Sequence, residues 1–231
     1  NPSMYASEKS IDNIAFFISD SWYFEDGWTL NTGVRYDNHS EAGNDTTMSA
    51  GINKKFNENS HAYVNWSQVF KAPNMDDLFS NDPYMGIGNT DLLPETGDTW
   101  TIGYQTKVSD KTDIGINYFE SSLDDAIFWN WYVYPATVMN VDKQEKRGLE
   151  LNVSHKINEY FDIEASYTYL RVKKSQNGGT LLREFNVVPN VYRVGIGYHK
   201  DKLNGNMFLH AGTGGSASRY LDSNSYKRLS A

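Results

Sequence analysis

"GWTLNTGVRYD", residues 27–37, decides the fold. Trp28, Leu30, Thr32, Val34 and Tyr36 fall on one side of an extended chain, and Thr29, Asn31, Gly33, Arg35 and Asp37 on the other. Successive side chains of a strand point to opposite faces, so this is a strand with one apolar and one polar face. The same period of two runs through TWTIGYQTK (99–107), TDIGINY (112–118), RGLELNVSH (147–155) and FDIEASYTYL (161–170). Taken together, one face of these segments is apolar and aromatic, and the other carries glycine, amides and charge. No segment shows a convincing helical period, and no linker or second domain stands out.

The 231 residues suffice for one large domain or two small ones. A formal net charge of -8 and a pI of about 5.1 argue against a nucleic-acid partner, which calls for a basic stripe. The absence of cysteine excludes disulfides and thiolate metal sites. The mean hydropathy of -0.62 looks like that of a soluble protein, and no apolar run approaches the roughly 18 residues of a membrane helix. A transmembrane barrel keeps half of each strand in a polar interior, so low hydropathy does not exclude one. The opening NPSMYASEKS has no basic start or apolar core, so the chain reads as mature or as a piece of a longer one.

A soluble β-sandwich shows the same alternation, with its apolar face inside. Two features favour an up-and-down transmembrane barrel. Trp22, Tyr23, Phe24, Trp28 and Tyr36 sit towards strand ends, as an interfacial girdle does. The connections alternate between short (25–27, 57–60, 109–112, 158–159, 200–205) and long (38–46, 71–95, 132–143, 174–184, and after 215). Short turns at one end and long loops at the other fit an outer-membrane barrel. About ten strands are expected, all in antiparallel meander.

Several stretches resemble the TonB-dependent outer-membrane receptors. NIAFFISDSWYFEDGWTLNTGVRYD (13–37) is similar to their paired strands with an Ala-Phe…Asp-x-Trp segment and a Gly-x-Arg-Tyr-Asp segment. YVNWSQVFKAPNMDDLF (63–79) resembles the strand running into a Phe-Arg-Ala-Pro box, here Phe70, Lys71, Ala72 and Pro73. GNTDLLPET (88–96) resembles the Asn-Pro-Asn-Leu-x-Pro-Glu-Thr box, with Asn89, Asp91, Leu92, Pro94 and Glu95. KRGLELNVSHKI (146–157) and SASRYLDSNSY (216–226) resemble later segments, and all five run in family order.

The resemblance implies an all-β fold: about ten strands of a 22-stranded type of barrel, with residues 1–231 part of one barrel domain. The plug, first strands and last strands are absent from this stretch, so an open arc is expected rather than a closed barrel. It also implies the outer membrane of a Gram-negative-type bacterium, contact with its lipid and lipopolysaccharide, and energy from the TonB complex through the plug. The implied ligand is an iron complex, siderophore or haem. A passive porin-like or structural barrel, and a soluble sandwich binding module, are the competing readings.

Residues 70–96 then form an outer loop between two boxes. In haem receptors a histidine between the boxes ligates haem. Here no histidine lies between Phe70 and Glu95, and Tyr84 and Met85 occupy the interval, both able to ligate iron. Asn81 and Asp82 precede them. The bland reading of the boxes is structural: prolines and glycines shape the loop, and Asp76, Asp77 and Glu95 fix its base. In DDAIFWNWYVYPATVMN (124–140), Ile127, Trp129 and Trp131 alternate with Phe128, Asn130 and Tyr132. Aromatics on both faces suggest a strand that has left the membrane, with Trp129, Trp131 and Tyr134 available to stack on a planar ligand. His39 is a further loop residue within reach of ligand, or simply a solvated one.

No resident cofactor, metal site or catalytic constellation is expected. No histidine pair has metal-ligand spacing. Ser67 and His61 share a strand face but lie about 20 Å apart.

Overall fold

The computed structural model describes residues 9–84, 86–175, 178–184, 187–215 and 226–230. Four strands open the chain: β1 (Asn13–Tyr23), β2 (Trp28–His39), β3 (Gly43–Asn57) and β4 (Ser60–Lys71). A short helix α1 (Met75–Phe79) and two-residue strands β5 (Asn81–Asp82) and β6 (Gly86–Ile87) follow. Then come β7 (Glu95–Ser109), β8 (Thr112–Asn130), β9 (Thr137–Lys156), β10 (Phe161–Ser175), the short β11 (Leu182–Arg183), β12 (Asn190–Lys200), β13 (Leu203–Gly215) and β14 (Tyr226–Ser230). The sheet order is β1-β2-β3-β4-β7-β8-β9-β10-β12-β13-β14, so each main strand lies beside its neighbour in sequence. This is the up-and-down all-β topology that the period-two segments predict. Within the described residues β1 pairs only with β2 and β14 only with β13, leaving an open arc.

The arc is one layer thick. Ile102, Ile116, Leu151, Val194 and Leu209 are all exposed along one face. A sandwich would cover this face with a second sheet, and none packs there among the described residues. Ladder hydrogen bonds satisfy the backbone, and the apolar face is left for an apolar surrounding.

The glycines of the polar face have a definite use. An added Cβ on Gly103 would stand 2.3 Å from the Tyr63 ring, on Gly148 2.2 Å from Phe119, and on Gly195 2.4 Å from Phe208. Each glycine lets an aromatic from the adjacent strand lie flat against the wall. Tyr63 then donates its hydroxyl to Asn117 Oδ1 at 2.6 Å. The polar face consequently stays open, with a hollow of about 580 Å³ bordered by His61, Gln105, Asn152, Glu164 and Arg193.

Several boundaries differ from the sequence expectation. The long loop expected at 38–46 is a turn of residues 40–42, because both strands continue in register to the pair His39↔Gly43. The loop expected at 132–143 is residues 131–136, since β9 already begins at Thr137. The clean alternation of short and long connections therefore fails at the first outer turn. The 174–184 connection runs from 176 to 189 and contains β11.

The expectation of no helix is corrected by α1, five residues long. The strictly antiparallel meander has one exception, a parallel bridge between Ile87 and Thr137. The segment 216–225 lies outside the described residues.

β8 and β9 have 19 and 20 residues, whereas about 9–11 cross a bilayer. Both begin or end at a short turn, so their excess of about eight residues, roughly 25 Å of chain, projects at the loop end.

Candidate functional site

The projecting tip of β8 and β9 receives residues 72–94. Asn74 starts this packing. Its Oδ1 accepts the Asp77 N–H at 2.9 Å, and Asp77 Oδ2 accepts the Asn74 N–H at 3.1 Å. This reciprocal cap satisfies donors that a five-residue helix would otherwise leave open. Asp77 has a second task. Its Oδ1 accepts the indole N–H of Trp129 at 2.8 Å, and its carbonyl accepts the Asn89 N–H at 2.8 Å. Only 4% of Asp77 is exposed.

A small core forms between loop and hairpin: Leu78, Leu92 and Val138 are buried, with Phe79, Ile127 and Trp129 packed on them. Gly86 lies under the Trp129 ring, where an added Cβ would come within 2.4 Å, and its φ of +147° also disfavours other residues. Asn140 joins the two parts like a strand partner. Its Nδ2 donates to the Leu93 carbonyl at 2.9 Å and its Oδ1 accepts the Leu93 N–H at 2.9 Å.

The two boxes meet at the loop base. Phe70 pairs with Thr96 and Lys71 with Glu95 across the ladder. Lys71 Nζ donates to Glu95 Oε1 at 2.9 Å, and the same oxygen accepts the Ile127 N–H at 3.0 Å. Glu95 is 7% exposed. Pro73 and Leu92 are buried, Ala72, Asn89 and Pro94 half-buried, and Asp91 exposed with its N–H donating to Asn89 Oδ1 at 2.9 Å.

The remaining candidates divide by place. Asn81, Asp82 and Tyr84 belong to the β5–β6 hairpin, where Asp82 Oδ1 accepts the Tyr84 N–H at 2.8 Å. Tyr84 is 80% exposed. Met85 lies outside the described residues. Trp129 and Trp131 are stacked with ring centroids 5.8 Å apart. Trp131, Tyr132 and Tyr134 are exposed, Tyr134 to 75%.

Because Ile87 and Thr137 are a parallel pair, Tyr84 and Tyr134 each stand three residues towards the tip from the same bridge. The bridge joins the base of the β5–β6 hairpin to the start of β9; Tyr84 lies on that hairpin, and Trp131, Tyr132 and Tyr134 lie on the connection between β8 and β9. His39 is elsewhere, at the β2–β3 turn. It is buried, not solvated, and its Nδ1 accepts the N–H groups of Glu41 and Ala42 at 3.2 and 3.1 Å.

Sequence reasoning missed Asn140, and it gave Asp77 only a general role at the loop base. The Asn-x-x-Asp cap at Asn74 was a readable signal for the helix. The indole partner of Asp77 was not, being 52 residues away. Arg35 and Asp37, expected on the polar face, form a two-bonded fork there, at 2.7 and 2.8 Å.

A family model for the TonB-dependent receptor-like β-barrel matches residues 1–230. The chain belongs to this family. Solved TonB-dependent receptors share its fold. The siderophore receptor PirA from Acinetobacter baumannii aligns with a TM-score of 0.69 at 20% identity, over 91% of this chain and 35% of that one. The copper transporter OprC aligns with a TM-score of 0.71 at 18% identity, over 87% and 34%. The ferric-catecholate import receptor Fiu from E. coli K12 aligns with a TM-score of 0.64 at 17% identity, over 95% and 37%. The chain therefore spans about a third of the length of these proteins. As a TonB-dependent receptor barrel segment, its exposed apolar face is the outward one and its glycine-rich polar face the lumen.

Proposed function

We propose that residues 1–231 are part of one barrel domain of an outer-membrane TonB-dependent transporter that takes up an iron complex. The protein carries substrate rather than transforming it. The TonB complex supplies energy through a plug domain seated against the polar face, where Arg35, Asp37, Glu150 and Glu164 meet plug or lumen water. Catalysis has no part in this reading.

The observation that carries the ligand class is the exposure of Tyr84, Trp131, Tyr132 and Tyr134 on two loops that are bridged at Ile87 and Thr137. Exposed aromatic rings on a rigid base suit the organic, ring-bearing shell of a chelate. A siderophore with aromatic donors fits this reading best, and haem is the second planar candidate. Asn81 and Asp82 supply polar contacts beside the rings. The box residues Phe70, Lys71, Pro73 and Glu95 hold the loop base.

The test is growth and uptake by a strain lacking the receptor, complemented with the full-length protein and supplied with a panel of iron sources. One class of iron chelate should restore uptake, and only with TonB present. Trp131→Ala should weaken apparent ligand affinity about threefold to tenfold, the worth of one aromatic contact. Uptake independent of TonB would favour a passive porin-like pore, and equal use of every iron source would remove the chelate reading.

A further inference from the structure

Trp131 is exposed to 62%, and what holds it in place belongs to a different loop. Its ring stacks on that of Trp129, with centroids 5.8 Å apart and planes 26° from parallel. Trp129 is half-buried, and residues 77 and 86 fix its ring at two points. The indole N–H donates to Asp77 Oδ1 at 2.8 Å. The six-membered ring lies on Gly86, where an added Cβ would come within 2.4 Å of Cζ3. An indole N–H points one way in the ring plane, so a fixed acceptor and a fixed contact leave the ring one orientation.

Asp77 is itself held. Its Oδ2 accepts the Asn74 N–H at 3.1 Å, and its own N–H donates to Asn74 Oδ1 at 2.9 Å. The hairpin bearing Tyr84 is tied to the same helix. Ser80 Oγ donates to the Gly86 carbonyl at 2.8 Å, and the Gly88 N–H to the Ser80 carbonyl at 2.8 Å. For stability alone a buried carboxylate is a poor choice, since a well-packed apolar side chain often does as well or better. What it adds is direction, a charge-assisted hydrogen bond to one ring nitrogen.

We propose that Asp77 is a positioning residue for ligand recognition, acting through Trp129 to fix Trp131 relative to the Tyr84 hairpin. The inference rests on the chelate reading above and deepens it. Asp77 touches no ligand in this account. Docking of residues 72–94 and presentation of Trp131 become one equilibrium. By linkage, a chelate bound on Trp131 stabilises the docked loop by the same factor as the docked loop tightens the chelate.

The test is titration calorimetry on the purified full-length receptor in detergent, with a ferric tris-catecholate and haem as probes. Wild type should bind one of them. Trp131→Ala should weaken that binding about threefold to tenfold, the worth of one aromatic contact. Asp77→Ala should weaken it as much, and Asp77→Ala/Trp131→Ala no more than either alone, as for residues that act as a unit. Trp129→Phe keeps a ring and loses only the N–H donor, so it should reproduce most of the Asp77→Ala loss, and it carries the test if Asp77→Ala fails to fold. Asp110→Asn, at a short turn, should leave Kd unchanged. Saturating probe should slow hydrogen exchange at the Asn89 N–H, which donates to the Asp77 carbonyl, in wild type but not in Trp131→Ala.

If Trp131→Ala weakens binding while Asp77→Ala and Trp129→Phe do not, the positioning role is overturned and the chelate reading stands. Additive losses in the double variant, or unchanged exchange at Asn89, overturn it in the same way. A receptor that binds neither probe, or one indifferent to Trp131→Ala, overturns the chelate reading and this coupling with it.

Discussion

The wall and the tip of this barrel segment are held together by different physics. The wall is a single layer in which ladder hydrogen bonds satisfy the backbone and Ile102, Ile116 and Leu151 point away from the protein. Its apolar side chains gain nothing from one another across a core, and the surrounding lipid must cover them. The tip is built like a small soluble protein. Leu78, Leu92 and Val138 form one buried cluster, and Leu123, Ala126 and Val141 a second. Buried polar groups there are all paired, as Asp77 and Glu95 are. The difference teaches that one strand pair, β8–β9, passes from a lipid-solvated regime to a self-packed one along its length.

Substitutions can break this contrast in either half. The largest local effect is expected for Leu78→Ala, about 2–5 kcal/mol from lost burial and a residual cavity. Limited proteolysis of outer-membrane preparations should then cut within 72–94 while the wall keeps its heat-modifiable mobility. Next comes Leu151→Arg on the outward face, costing about 2–4 kcal/mol near the bilayer midplane. It should abolish assembly, whereas Asn152→Lys, one residue on and facing the lumen, should assemble normally. Equal assembly yields for the two would remove the lipid-facing assignment.

Glu95→Gln should cost about 1–3 kcal/mol, because it weakens the contact to Lys71 and to the half-buried Ile127 N–H. Hydrogen exchange at Ile127 should accelerate and exchange at Leu151 should not. The smallest effect is expected for Lys55→Ala at a short turn. Its ion pair with Glu58 is exposed, and such pairs are worth about 0–1 kcal/mol. A clear loss of thermal stability there would mean that the turn end is more tightly packed than the wall.

Most of the wall was legible in the sequence. The alternation in GWTLNTGVRYD and RGLELNVSH placed the two faces correctly, because a strand's period is local. Short turns such as 109–112 were legible for the same reason. The tip was less so. Polar residues at 38–46 read as a loop, yet they continue β2 and β3 to His39 and Gly43. Above the membrane a strand needs no apolar face, so alternation stops marking its end.

The helix Met75–Phe79 is too short to show a period. His39 looked like a solvated loop residue but is buried as a hydrogen-bond acceptor of its own turn. The union of Asp77 with Trp129, and of Asn140 with Leu93, joins residues about fifty positions apart. Pairings of that kind follow from the fold, and no local pattern encodes them.

The central claim is that β9 faces lipid on one side and water on the other. These 231 residues hold no cysteine, so single spin labels along residues 148–155 of the full-length receptor, with any cysteine outside this stretch replaced, each report one position. Collision with oxygen, which concentrates in lipid, should peak at Leu149, Leu151 and Val153. A water-soluble nickel reagent should peak at Glu150, Asn152 and Ser154. Two curves of period two, opposite in phase, are the expected result. Curves in phase, or with the nickel reagent favouring Leu151, would contradict the account.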